Sequence, residues 1–484
     1  MAATFADVTR LLQSPRVRLV AVFGSLDPDR RVRLHYIADE DRREYRRLEC
    51  LAAARVPSAA AITPAAAWHE REVADQFGVV FENHPDPRPL LFHENWPGHA
   101  HPLLSGQTPV EVDRPPTEYR FLKVQGTGVC EVPVGPVHAG IIEPGHFRFS
   151  VVGDTVLHLE LRHFYTHKGT EKLFEGAPVL RAPMLAESVS GDNCFAHAVA
   201  YSQAVEAALG IAVPPRGAAI RLIGLELERM IAHIADVGAL CGDVGFTVPA
   251  AYTARIKESL LQLSARTVAT RFWRGIAVPG GVKRDLSDEA VAALRAGIAT
   301  AAGDFAVLAR MVLDTPSVQN RFETTGVLSQ EAARDLGVVG PAARASGIDF
   351  DVRRDHPYGA YAGRAVEVPH YHYGDVLARA RVRIDETRIS ADLIAACLES
   401  LPAGDIATPV TSDGNGEAFA AVESPRGELA YWVRIRQGRI ARCHIKSPSF
   451  QNWPALPLAM PGNIIADFPL INKSFNLSYS GCDR

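Results

Sequence analysis

The first hundred residues alternate between apolar and polar positions in a way that predicts a small domain of strands and helices. Segments 17–23 and 32–37 have the period of half-buried strands. Residues 68–77 have a short helical pattern, and Gly78 directly after it is the type of residue that ends a helix. Segment 84–102 holds five prolines and no period, so it is predicted to be an extended arm.

Beyond this arm, strand patterns are followed by long helical patterns. Strands are predicted at 132–137, 145–150 and 156–161, and again within 417–446. Helical patterns cover residues 195–209, 220–241, 252–275, 288–313 and 375–400. This order predicts an α+β fold in which a helical bundle occupies the centre of the larger domain.

The helix predicted over 220–241 has one continuous apolar face. Its apolar residues recur every three or four positions, as a buried stripe requires. The charged residues Glu226, Glu228, Arg229 and Asp236 fall outside this stripe. We predict that they form a solvated or subunit-facing surface.

Length and composition fit a globular protein of two domains. The chain has 484 residues, of which 47 % are hydrophobic and 22 % are charged. The patterns divide it into a small domain over 1–108, a linker over 109–122 and a large domain over 123–484. A net charge of −4 offers no basic surface for nucleic acid. The seven cysteines contain no CxxC pair, which indicates reduced, scattered thiols.

Three groups of motifs carry a resemblance to respiratory proteins. The sequence WHEREVADQFGV at 68–79 resembles the signature of the 30-kDa-type subunit of complex I. VGPVHAGIIEPGHFRF at 134–149 and YTHKGTEK at 165–172 resemble the opening of the large subunit of membrane-bound [NiFe] hydrogenases and of the related 49-kDa-type subunit of complex I. The third group consists of GPAARASG at 340–347, DHPY at 355–358 and ESPRGE at 423–428.

These motifs follow the order of the family over nearly the whole chain. In its hydrogenase branch, four cysteine thiolates hold a nickel–iron centre, two near the start of the domain and two at its C-terminus. Here Ser190, Asn193, Ser478 and Gly481 stand at those positions. The resemblance therefore implies a chain that binds no metal.

Two cysteines lie beside the former ligand positions. Cys194 and Cys482 are each one residue away from one of them. On a helix, one residue turns a side chain by about 100°. We therefore expect that neither cysteine replaces a lost ligand.

The chain mixes features of both branches of the family. The 49-kDa-type subunit of complex I also lacks the four cysteines, and it contributes to a quinone pocket in the vacated cavity. Residues 138–143 read HAGIIE, which is the hydrogenase version of this loop. The mixture resembles hydrogenase-related membrane complexes. It implies a peripheral-arm subunit of a membrane-bound, ion-translocating complex similar to NADH–quinone oxidoreductase, on the cytoplasmic side of the membrane.

The resemblance also implies partners. These are a small subunit that carries iron–sulfur clusters and antiporter-like subunits in the membrane. No dinucleotide-binding fingerprint follows a strand, so any link to NAD belongs to the complex. Two mechanisms remain open: the cavity takes a quinone, or the chain is a non-redox scaffold that couples other subunits.

Five residues at family positions are candidates for the chemistry of the cavity. Glu143 is expected to pass protons, or to be a structural acid paired with an arginine. Arg344 and Arg426 are expected to pair with acids at the cavity or to hold a quinone oxygen, or else to anchor turns. His138 and His167 are candidates for contact with a quinone, although a lone histidine often has a structural role.

Overall fold

The computed structural model describes residues 3–104, 119–138, 142–411 and 413–484. It combines helices with several small sheets, which confirms the predicted α+β class. The predicted end of the first domain at residue 108 lies outside the described residues, as does most of the predicted linker over 109–122. Residues 139–141 of the HAGIIE loop lie outside them as well.

The first domain is built on a three-stranded antiparallel sheet, β1–β2–β3. Its elements are α1 (Phe5–Leu12), β1 (Val17–Leu26), β2 (Val32–Glu40), β3 (Glu44–Leu51), β4 (Arg55–Pro57), α2 (Ala67–Phe77) and β5 (Val80–Glu82). Gly78 ends α2 in the left-handed conformation, with φ of 71°, as predicted. Segment 84–102 contains no helix or strand, and hydrogen-bonded turns at 93–96 and 97–100 fold its second half.

The second domain joins two three-stranded antiparallel sheets to a set of long helices. In chain order its elements are β6 (Val129–Val134), β7 (His146–Val152), β8 (Thr155–Arg162), α3 (Thr170–Phe174), α4 (Pro183–Glu187), α5 (Cys194–Leu209), α6 (Pro215–Asp243), α7 (Thr247–Val268), β9 (Ala277–Val278), β10 (Gly281–Val282), α8 (Asp288–Asp314), α9 (Pro316–Phe322), α10 (Gln330–Asp335), α11 (Gly340–Ala345), α12 (Val352–Asp355), α13 (Val376–Glu399), β11 (Gly416–Ser424), β12 (Gly427–Arg436), β13 (Arg439–Lys446), α14 (Pro448–Asn452), α15 (Leu456–Ala459), α16 (Phe468–Phe475) and α17 (Tyr479–Asp483).

The predicted bundle consists of α6, α7, α8 and α13, which pack side by side. The apolar stripe of α6, including Ile220, Leu227 and Ile234, is buried in the core. Helix α5 packs on the sheet β11–β12–β13. Among the described residues, α8 alone is long and apolar enough to cross a bilayer, and here it packs against α7 and α13.

The charged residues of α6 correct one prediction. Glu226 and Arg229 are 0 % exposed and Asp236 is 5 % exposed, so the predicted solvated surface was wrong for these three. Glu226 and Arg229 form a buried ion pair with each other at 3.2 Å. Asp236 binds Arg383 of α13 at 2.9 Å. Glu226 also binds Arg353 of α12 at 3.0 Å, so these buried charges are paired both within α6 and with neighbouring elements.

The two domains share a buried polar and apolar interface. The Arg18 guanidinium of β1 binds the fully buried Glu428 carboxylate of β12 at 2.8 Å. Trp68 of the first domain packs edge-on against Phe450, with ring centroids 5.6 Å apart. The neighbouring His69 hydrogen-bonds Gln451 at 3.1 Å. The motif at 68–79 therefore contacts the second domain.

Candidate functional site

Loops from distant parts of the second domain enclose a cavity of about 390 Å³, called here the serine cavity. Glu143 borders it just before β7, and Ser190 and Asp192 border it just before α5. Arg426 reaches it from the turn between β11 and β12, and Ser478 reaches it from the start of α17. The fold thus brings together two candidate residues, Glu143 and Arg426, and two former ligand positions, Ser190 and Ser478, at one cavity.

Two of the former ligand positions are joined by a hydrogen bond. The hydroxyls of Ser190 and Ser478 lie 2.9 Å apart, and both side chains are buried. Ser190 also donates to the Asp192 carboxylate. Ser478 accepts a hydrogen bond from the backbone N–H of Gly481 at 2.9 Å, so it caps α17. Both hydroxyls therefore already have partners.

The remaining former ligand positions offer little to a metal. Gly481 has no side-chain donor, and the Asn193 side-chain oxygen is buried with no hydrogen-bond partner among the described residues. Cys194 points to the backbone carbonyl of Phe272 at 3.4 Å. Burial raises the pKa of the Cys194 thiol to about 12 and the pKa of Cys482 well above its usual value. Both thiols are therefore held in the neutral form, which binds metals poorly.

Glu143 is half-buried and faces the serine cavity. Its carboxylate accepts the backbone N–H of Ser480 at 2.9 Å. His138 hydrogen-bonds the Gly145 carbonyl at 2.8 Å. His167 hydrogen-bonds the Asp483 carbonyl at 2.6 Å. Each histidine thus has one ring nitrogen occupied by the backbone.

Arg426 pairs with an acid at the cavity wall. Its guanidinium binds the Asp192 carboxylate at 2.7 Å and also donates to the Asn476 carbonyl. The side-chain amide of Asn476 in turn donates to Asp236. One terminal nitrogen of Arg426, Nη1, has no hydrogen-bond partner among the described residues although the side chain is 7 % exposed. The residue therefore retains unused donor capacity at the cavity.

The structure places Arg344 away from the serine cavity, in a fully buried charge cluster. Its guanidinium binds Glu386 at 2.7 Å, Glu423 at 2.9 Å and Asp351 at 3.3 Å. Arg353 joins the cluster by binding Asp351 at 2.7 Å. Burial, together with the charge of Asp351, raises the pKa of Glu423 to about 7. This cluster connects α11, α12, α13 and β11.

A second cavity adjoins the serine cavity and was not predicted from the sequence. It measures about 460 Å³ and is called here the aromatic cavity, because Phe195, Phe272 and Trp273 form part of its wall. Asp192 and Arg426 border both cavities.

The aromatic cavity contains Glu228, the fourth charged residue of the α6 pattern. Its carboxylate accepts the backbone N–H groups of Phe195 and Ala196, at 2.8 and 3.0 Å, at the first turn of α5. Burial raises the pKa of Glu228 to about 8, against the effect of these two hydrogen bonds. From the sequence, Glu228 is a charged residue beside the apolar stripe of α6, and we predicted that it lies on a solvated or subunit-facing surface. The structure places it in the wall of the aromatic cavity instead.

A third group of ionisable residues is structural. Atoms of Glu72, Glu171 and His444 lie within 4.8 Å of one another, which is close enough for a shared metal ion. However, Arg484 binds Glu72 at 2.8 Å and Arg442 binds Glu171 at 2.7 Å. Two guanidinium groups therefore already neutralise the carboxylates, and the group fastens α2 to the second domain.

Comparison with known proteins agrees with the motifs. The sequence model of the family "Respiratory-chain NADH dehydrogenase, 49 Kd subunit" matches residues 243–414 and 409–484. That of "Respiratory-chain NADH dehydrogenase, 30 Kd subunit" matches residues 2–109. Both subunit types are thus present in one chain.

Individual relatives are subunits of hydrogenase and respiratory complexes. The chain is 34 % identical to formate hydrogenlyase subunit 5 of Escherichia coli (strain K12), over 88 % of this chain and 77 % of that protein. It is 33 % identical to hydrogenase-4 component G of the same organism, over 93 % of this chain and 77 % of that protein. Among solved structures, a chain of the membrane-bound sulfane sulfur reductase, an archaeal respiratory membrane complex, matches with a TM-score of 0.70. That match has 26 % identity and covers 74 % of this chain and 99 % of that one.

Proposed function

The chain belongs to the family of the 49- and 30-kDa subunits of respiratory-chain NADH dehydrogenase, and from this premise we propose that it is the fused peripheral-arm subunit of a membrane-bound, ion-translocating oxidoreductase complex. In this proposal it lies on the cytoplasmic side of the membrane. It contacts a small iron–sulfur subunit on one side and antiporter-like membrane subunits on the other. The similarity to a hydrogenlyase subunit, to a hydrogenase component and to a chain of an archaeal respiratory membrane complex supports this assignment.

The proposed complex has no nickel–iron centre in this subunit. Such a centre needs soft thiolate ligands. The four corresponding positions offer two hydroxyls that already hydrogen-bond each other, one amide and one glycine. These residues do not fit the metal pair, so the reaction is assigned to another occupant of the serine cavity.

We assign that place to the head group of a quinone. The observation that carries this assignment is the serine cavity itself, which is about 390 Å³ in volume and is bordered by the Glu143 carboxylate and the Arg426 guanidinium. Arg426 borders the cavity, and its Nη1, which has no hydrogen-bond partner among the described residues, is the proposed donor to a quinone oxygen. Glu143 is placed to pass a proton to the reduced oxygen. Electrons would come from an iron–sulfur cluster of the partner subunit.

The substitution Glu143→Gln tests this role in the assembled complex. A positioned proton donor contributes about 100-fold or more to a reaction rate. We therefore expect Glu143→Gln to lower quinone reduction by at least about tenfold, measured on complexes purified from native membranes with all subunits present. Glu131→Gln is the matched control, because Glu131 lies on β6, outside the serine cavity, and among the described residues it pairs with Arg148 at 3.3 Å. Unchanged turnover in an intact Glu143→Gln complex would leave only the scaffold alternative.

A further inference from the structure

The aromatic cavity has walls that suit an apolar molecule. Besides its three aromatic rings, Leu227 and Ile231 of α6 line it. Phe272 is 45 % exposed, so the cavity opens to the surface beside this ring. A volume of about 460 Å³ is within the usual range for small-molecule sites in proteins.

Two lysines on this wall have no close partner. Lys257 of α7 and Lys473 of α16 are half-buried and border the cavity. Neither forms a hydrogen bond or an ion pair within the part of the chain that is described. Their charges act only at longer range, on Glu258 and Asp243. The cavity therefore has two available cationic donors.

Each acidic side chain on the same wall already has an ion-pair or hydrogen-bond partner. Asp192 binds Arg426 and Ser190, and Asp236 binds Arg383 and Asn476. The Glu228 carboxyl is held by two backbone N–H groups at the start of α5. No carboxylate on this wall is left to neutralise the two lysines. The cavity thus combines apolar walls with an uncompensated positive charge.

We propose that the aromatic cavity is a binding site for an organic carboxylate with an apolar body of one or two rings. The carboxylate binds the ammonium groups of Lys257 and Lys473 on the cavity wall. The ring system lies against Phe195, Phe272 and Trp273. Asp192, Arg426 and Lys473 border both this cavity and the serine cavity, whereas Lys257 and the three rings border only the aromatic cavity.

The test uses the full-length chain in its purified complex and two probes of the same shape. Isothermal titration calorimetry measures the binding of 2-naphthoate and of the neutral 2-naphthylmethanol. We expect 2-naphthoate to bind at least about tenfold more tightly, because only the anion gains from the lysines. Raising the salt concentration should weaken the binding of 2-naphthoate alone.

Substitutions of the two lysines test whether 2-naphthoate binds in the aromatic cavity. Lys473→Met and Lys257→Met should each abolish the preference for the anion, and Lys473→Arg should retain most of it. Lys283→Met, at an exposed lysine outside the cavity, is the matched control and should bind like the wild type. Equal affinity for the two probes, no heat from either, or wild-type binding by both Lys→Met variants would overturn the proposal.

Discussion

At the scale of single residues, the stability of the fold depends on ion pairs between buried charged side chains. Arg353 is 0 % exposed and binds Asp351 at 2.7 Å and Glu226 at 3.0 Å. The adjacent Arg354 is 30 % exposed and binds Asp349 at 2.6 Å. Neighbouring arginines of the same helix therefore have very different surroundings, which a periodic pattern alone does not distinguish.

This contrast gives a matched pair of substitutions. Arg353→Met should lower the free energy of unfolding by about 3–5 kcal/mol, because it leaves buried carboxylates without a partner. Arg354→Met should change it by only about 0–1 kcal/mol, because water replaces the lost ion pair. Urea denaturation of the full-length chain measures both values. Equal losses would mean that the buried cluster relaxes around a missing charge.

Glu228 predicts a dependence of stability on pH. Its pKa is about 8 in the folded chain, whereas an unfolded glutamate has a pKa of about 4.3. Between these values the folded chain keeps a proton that the unfolded chain has released, so stability falls as the pH rises. Glu228→Gln removes this loss. The melting temperature of Glu228→Gln, relative to the wild type, should therefore rise between pH 5 and pH 9.

Glu258 provides the control for this experiment. The hydrogen bond from Arg271 lowers the pKa of Glu258 to about 2. Its carboxylate is therefore ionised in both the folded and unfolded chains throughout pH 5–9. Glu258→Gln should give a constant difference in melting temperature from the wild type. A constant difference for Glu228→Gln as well would show that Glu228 is ionised in the folded protein.

At the scale of elements, the position of Arg426 depends on a close backbone contact. Gly340, at the start of α11, has φ of 70°, and a Cβ atom there would lie 2.2 Å from the Arg426 carbonyl oxygen. Only glycine allows α11 to approach the turn between β11 and β12 this closely. The contact joins the helix that carries Arg344 to the turn that carries Arg426.

Gly340→Ala tests this contact against Gly210→Ala. Both glycines have positive φ, so each substitution costs about 1–2 kcal/mol in backbone strain. Gly210 has no atom within 4 Å of the added methyl group. Gly340→Ala should therefore lower the free energy of unfolding by about 1–3 kcal/mol more than Gly210→Ala. The same loss in both variants, measured by urea denaturation, would mean that the turn shifts freely.

The sequence predicted most elements and part of the site. Hydrophobic periodicity predicted the bundle helices and the strands within 417–446. The reason is that buried residues recur every three or four positions in a helix and every second position in a strand. The motifs include Glu143 and Arg426, and these lie at the same cavity as two of the four former ligand positions, Ser190 and Ser478. The pairing of Arg344 with Glu386 and the position of Glu228 were not predicted. Both depend on contacts between residues far apart in the chain, which no local period encodes.

At the scale of the whole molecule, the two family domains form one packed unit. Buried ion pairs such as Arg18–Glu428 and Glu72–Arg484 join them, and α2 contributes aromatic contacts. Such a unit holds the serine cavity at a fixed place relative to the first domain. A fixed position suits the proposed role, in which the occupant of the cavity receives electrons from a cluster of a partner subunit.

We propose that this subunit works in a membrane complex without a nickel–iron centre. Elemental analysis of the complex, purified intact from native membranes, tests it most directly. We predict no nickel, and iron only in proportion to the acid-labile sulfide of the iron–sulfur clusters in partner subunits. Nickel at one atom per copy of this chain, with iron in excess of sulfide, would contradict the account.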